Sequence, residues 1–148
     1  MTKSEIAANY FKNSFNCSQA VFTALAPQLG ISEENSLKIA CAFGGGIARN
    51  QLICGAVTGA LMAIGLKYGK GLNDDDSRKG LTYQKSNLLF EKFKQKHKSI
   101  SCRELLDGLD MEKDKEKIKS LNLFNTKCPL YVKDATAIAE AIINDTEL

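Results

Sequence analysis

The chain has 148 residues, 44% of them hydrophobic, which suits one compact domain rather than two and is enough to bury a core without disulfides. Its 20 Lys and Arg against 17 Asp and Glu leave a net charge of +3, too mild to neutralise a row of phosphates, so nucleic-acid binding is not expected. The amino terminus carries Glu5 and has no signal-like apolar block, and the apolar run from Leu52 to Leu66 falls short of the ~18 residues of a spanning helix; a cytoplasmic chain without a membrane span is expected.

Apolar residues recur three and four apart through most of the chain, and the alternation of strands is absent, which predicts an all-α bundle of six to seven helices. A first helix from Lys3 to Phe15 carries Ile6, Ala7, Tyr10 and Phe11 on one stripe. Asn16 offers an N-cap for a second helix with Ala20, Val21, Ala24 and Leu25, disturbed by Pro27 and ended by Gly30. Ser32 caps a third, which has Glu33 and Glu34 in its first turn and carries Leu37, Ile39, Ala40 and Phe43 up to the break at Gly44, Gly45 and Gly46. The fourth runs from about Ile53 to Tyr68 and stops at Gly69 and Gly71. The polar stretch from Asn73 to Ser77 caps a lysine-rich fifth ending near Lys98. Ser101 caps a short segment from Cys102 to Leu106, and the charged stretch from Asp107 to Lys119 is expected to be exposed and partly helical. Pro129, favoured at a first helical position, opens a last helix carrying Val132, Ala135, Ile138, Ala139, Ile142 and Ile143. Neither a repeat nor a low-complexity linker divides residues 1–148, which read as one helical domain.

Four of the five cysteines share one address on this map. Cys17 follows the cap Asn16, Cys54 opens the fourth helix, Cys102 follows the cap Ser101, and Cys128 precedes Pro129. Free backbone N–H groups at a helix start favour a thiolate, but the effect is roughly one pKa unit. If the four ends converge, mutual repulsion keeps them from ionising together unless a disulfide forms or a cation binds. Cys41, inside the third helix with no cap beside it, reads as packing. Gly55 and Gly59 lie four apart and, with Ala56, Ala60 and Ala63, let a neighbouring backbone approach Cys54.

These residues resemble the C_GCAxxG_C_C family of redox-active proteins over nearly the whole chain. The resemblance rests on Asn16-Cys17-Ser18-Gln19-Ala20-Val21, Ala42-Phe43-Gly44-Gly45-Gly46-Ile47, Cys54-Gly55-Ala56-Val57-Thr58-Gly59-Ala60, Ile64-Gly65-Leu66-Lys67-Tyr68-Gly69, Cys102-Arg103-Glu104-Leu105-Leu106 and Cys128-Pro129. It implies a redox role for Cys17, Cys54, Cys102 and Cys128, the four that the helix-start argument selects, and leaves Cys41 outside the pattern.

Other constellations are weaker. Gly44-Gly45-Gly46 before Arg49 lacks the phosphate-loop pattern and a preceding strand, so a flexible turn is the simpler reading than an anion nest; Arg49 is nonetheless placed to lower the pKa of Cys54. His97, between Lys96 and Lys98, reads as solvated and unsuited to a Cys-His dyad. No C-x-x-C pair occurs. Three functions remain open: thiol-disulfide exchange with an unknown redox partner or small-molecule substrate, a Zn or iron-sulfur site held by the same four cysteines, and a structural helical module. In the first, Cys54 is the expected nucleophile because its glycines open the backbone around it, with Cys102 or Cys128 preferred over Cys17 as the resolving thiol.

Overall fold

The computed structural model describes residues 1–146, and over these the fold is all-α. Helix α1 (Lys3–Lys12) starts at a capping box in which Thr2 and Glu5 satisfy each other's backbone N–H groups, and it ends three residues earlier than its apolar stripe suggests. Helix α2 (Cys17–Leu25) begins with a second capping box, between Asn16 and Gln19. Pro27 converts its end into a 3-10 turn, which Gly30 closes at φ +97°.

Helix α3 (Glu33–Ala40) is capped by Ser32 and gives way to a 3-10 turn over Cys41–Phe43. Its buried face is Ser36 and Ala40, and Ile39 is exposed. Then follow α4 (Gly55–Tyr68), α5 (Ser77–His97), α6 (Cys102–Leu105), α7 (Lys115–Ser120), α8 (Leu123–Thr126) and α9 (Cys128–Ile143). Among the described residues no helix is long and apolar enough to cross a membrane.

Helix α4 is buried along most of its length, packed on α2, α5 and α9. A Cβ on Gly59 would lie 2.7 Å from the backbone oxygen of Ser18, so the glycine face of α4 sits against the backbone of α2. Tyr68 fixes the far end by donating its hydroxyl to the Ile142 carbonyl of α9 at 2.7 Å.

A second, smaller cluster joins Cys102, Leu106, Met111, Ile118, Leu123 and Cys128. The stretch after Asp107 is therefore not simply an exposed charged surface. Met111 and Ile118 are buried, α7 is the helical part of that stretch, and α8 is a short helix beyond those expected.

Candidate functional site

Each of the four helix-start cysteines is placed by local chemistry. Cys17 is the first residue of α2, held by the Asn16 capping box. Cys54 is the N-cap of α4, its carbonyl accepting from the Val57 and Thr58 N–H groups at 3.0 and 3.1 Å. Cys102 opens α6 behind Ser101, whose hydroxyl accepts from the Glu104 N–H. Cys128 opens α9 beside Pro129. A single antiparallel bridge, Ile53 with Ser101, lays two of these starts side by side. In it the Cys54 N–H donates to the Ile100 carbonyl at 2.8 Å and the Cys102 N–H to Leu52 at 2.7 Å.

All four of these cysteines line one cavity of about 220 Å³. Phe11, Leu105, Leu106, Met111, Phe124 and Tyr131 supply most of its remaining wall, and the Tyr131 hydroxyl is spent on the Leu105 carbonyl at 2.7 Å. Along one side runs the loop after Phe43. The triglycine is not a loose turn here: Gly45, Gly46, Ile47, Ala48 and Arg49 are consecutive left-handed residues, and Gln51 is a further one. Each non-glycine residue in that conformation costs roughly 1–2 kcal/mol, and β-branched Ile47 is a clear outlier.

The loop holds this shape through backbone bonds from Ile47, Ala48, Arg49, Gln51 and Leu52 to carbonyls between Ala42 and Gly46. The amides of the loop's second half are thereby occupied. Buried Gln51 anchors the far side, donating to Leu109 O and accepting from the Met111 N–H, each at 2.8 Å. At Gly46 the backbone passes so close to Cys102 that a Cβ would sit 2.7 Å from the cysteine Cβ.

The electrostatics divide the four thiols. Burial pushes Cys54 up to about 12 despite the Ala56 and Val57 amides, and pushes Cys102 up to about 11 despite Arg103 and Arg49. A helix start worth roughly one unit cannot offset desolvation of that size. Cys17 and Cys128 are neighbouring thiols in the cavity, each acting on the other's proton. That mutual interaction, with burial, holds the Cys17 proton on, and it lowers the Cys128 pKa, with burial working against the lowering. The glycines beside Cys54 do not open it. A Cβ on Gly55 would meet the Ser18 nitrogen at 3.1 Å and the Cys17 Cβ at 3.2 Å, so the missing side chain admits α2 and leaves Cys54 only 5% exposed.

Cys54 consequently ties stability to alkaline pH. Below its ordinary value of 9.0 the thiol is protonated in both states and its contribution is complete; above that the unfolded chain ionises while the folded one holds its proton until about 12. Stability is expected to fall by up to ~1.4 kcal/mol per pH unit across that window from this group. Urea unfolding at pH 8 and pH 10 should show a smaller drop in Cys54→Ala than in the parent chain; equal drops would remove Cys54 from this account.

Other expectations are revised. Cys41 is exposed in the 3-10 turn after α3, because the helix ends before it, so it is not a packing residue. Arg49 lines the same cavity as Cys54, but the thiol its charge lowers is Cys102. His97 turns inward: its side chain is 14% exposed, its Nε2 lies 2.7 Å from Asp134, and its ring meets Tyr131 edge-on at 4.8 Å. It backs a wall residue of the cavity without lining the cavity itself. Met111, Phe124 and Tyr131 are wall residues that the sequence did not flag. Among the described residues no three Cys, His, Asp or Glu side chains come together as a ligand set for a metal ion.

A helical chain that brings four cysteines from four helix starts to one apolar cavity is a thiol-centred all-α protein. The chain belongs to the family described as "Putative redox-active protein (C_GCAxxG_C_C)", whose model matches residues 15–142. A relative from Archaeoglobus fulgidus, named only as an uncharacterized protein, is 30% identical over 115 residues, covering 73% of this chain and 76% of the relative. No solved structure matches.

Proposed function

We propose that the chain carries out thiol-disulfide exchange through Cys128 and Cys17, with Cys54 and Cys102 completing the thiol wall. The supporting observation is the gathering of all four helix-start cysteines on one cavity, where Cys128 is the thiol whose pKa is lowered, through its neighbour Cys17. The Cys128 thiolate attacks one sulfur of a substrate disulfide. A Cys128–sulfur bond forms, the substrate S–S bond breaks, and the first half leaves as a thiolate. Cys17 then gives up its proton and attacks the Cys128 sulfur, expelling the second half. Two protein thiols are oxidised to one disulfide while the substrate is reduced to two thiols, so electrons and protons balance. Cys54 and Cys102, held as thiols by burial, keep negative charge from accumulating beside the attacking sulfur.

The metal reading lacks a comparable observation, since the four sulfurs share a cavity without forming a ligand set. The test is to oxidise the reduced protein with a small disulfide and map linkages by mass spectrometry under non-reducing conditions. Cys17 joined to Cys128 as the first intramolecular product is the expected result. A first linkage through Cys54 or Cys102, or bound metal that protects all four thiols until chelated, would overturn it.

A further inference from the structure

Resting on that exchange reading, we infer that the substrate is a low-molecular-weight disulfide carrying a carboxylate or sulfonate, with Arg49 holding the anion. Size comes first. Cys54, Cys102 and Cys128 are all recessed, at 5%, 8% and 8% exposure, and the cavity of about 220 Å³ is smaller than the ~300–1,000 Å³ typical of drug-sized ligands. An S–S bond fixed in the surface of a folded protein does not reach the Cys128 sulfur, whereas a short flexible disulfide does.

Charge comes second. Among the residues lining the cavity Arg49 is the one charged side chain, no carboxylate faces inward, and the starts of α2, α4 and α9 add their positive ends. The guanidinium is available. It is 60% exposed, and its acidic partner Glu112 is 3.5 Å away and 78% exposed, a loose contact that an incoming carboxylate can replace with a bidentate one. The left-handed run from Gly45 to Arg49 gives the placement its rigidity, because its backbone bonds and the Gln51 anchor fix where the Arg49 Cα sits. The rest of the wall is apolar and suits the short carbon arms between sulfur and anion.

The chain carries its own reference. Cys41 is exposed and outside the cavity, and it reports how an ordinary thiol on this protein ranks the same reagents. The experiment reacts the reduced full chain with dithiodiglycolate, hydroxyethyl disulfide and cystamine, which are dianionic, neutral and dicationic. Insulin serves as a protein disulfide. Site-resolved mass spectrometry follows the Cys17–Cys128 disulfide and mixed disulfide at Cys41. The dianion is expected to oxidise the pair at least ~10-fold faster than the neutral reagent, with cystamine slowest and insulin unreacted. Cys41 should not share that order. Arg49→Glu should reverse the preference at the pair, and Arg49→Lys should retain a weakened one, since an ammonium keeps the charge but not the fork.

Equal rates for the three reagents, the same ranking at Cys41 as at the pair, or an order unchanged in Arg49→Glu would overturn the assignment while leaving the exchange reading intact. Insulin reduced as fast as the dianion would overturn the size argument and the assignment with it. If no reagent produces a Cys17–Cys128 disulfide, the exchange reading itself falls.

Discussion

Cys128→Ser is expected to remove the fast-reacting thiol of the cavity, leaving Cys54 and Cys102 to react tens of times more slowly than an ordinary cysteine. The size of the effect follows from burial. With Cys54 raised from 9.0 to about 12, the thiolate fraction at neutral pH drops by about 10³, and the greater nucleophilicity of a more basic thiolate returns only ~20-fold of that. Cys41 lies outside this logic because it is exposed, so the measurement is alkylation by iodoacetamide resolved by site. Cys17 separates two roles at the pair. Cys17→Ala removes the neighbouring thiol that lowers Cys128, so Cys128 should alkylate more slowly and reach its plateau at higher pH. Cys17→Ser keeps a donor, so it should preserve much of the Cys128 reactivity while abolishing the intramolecular disulfide. The direction of the pH profile is fixed: a lowered pKa keeps the Cys128 thiolate, and with it the reactivity, down to a lower pH than the ordinary cysteine value of 9.0 allows. Cys128 alkylation unaffected by Cys17→Ala would show that the pair does not activate it.

The helix starts of this site were legible because they are local chemistry. Asn16 and Ser101 cap through their own side chains and Pro129 stands in the first turn of α9, so three of the four cysteine addresses follow from neighbours in sequence. Depth was not legible. What separates Cys54 from Cys128 is how much protein lies over each sulfur and which partner it meets, and Cys17 and Cys128 meet only after α2 and α9 pack. Glycine in the loop announces a break, but nothing about Ile47, Ala48 or Arg49 announces left-handed backbone; the backbone bonds and the Gln51 anchor impose it. Met111, Ile118 and Leu123 are too widely spaced for a helical stripe, so their shared cluster needs the folded loops. His97 is the exception where a signal was present. Leu89, Phe93 and His97 recur every four residues on α5, and that spacing places the histidine on the buried face despite the lysines on either side.

Gly59→Ala and Gly65→Ala, one chemical change at two places on α4, are expected to move stability in opposite directions. At Gly65 a new Cβ meets nothing within 4 Å, so the gain in helix propensity, about 1 kcal/mol, is kept. At Gly59 the same methyl would stand 2.7 Å from the Ser18 carbonyl oxygen and 3.1 Å from the Val21 Cβ. The first of these is backbone and cannot rotate away, so α2 must lift from α4, at roughly 1–3 kcal/mol for overpacking. The two variants should therefore differ by about 2 kcal/mol, or ~4–8 °C in Tm for a chain of this size. Gly46→Ala should be worse than either. Its φ of +71° disfavours any side chain, and the Cβ would lie within 3 Å of the Gln51 Cα, the Leu52 nitrogen and the Cys102 Cβ together. The loop can escape only by moving off the thiols, so a loss of about 3 kcal/mol should come with faster alkylation of Cys102. Destabilisation without that gain in Cys102 reactivity would mean that the loop braces the fold but does not shield the cavity; a neutral Gly46→Ala would mean that the left-handed turn does not persist in solution.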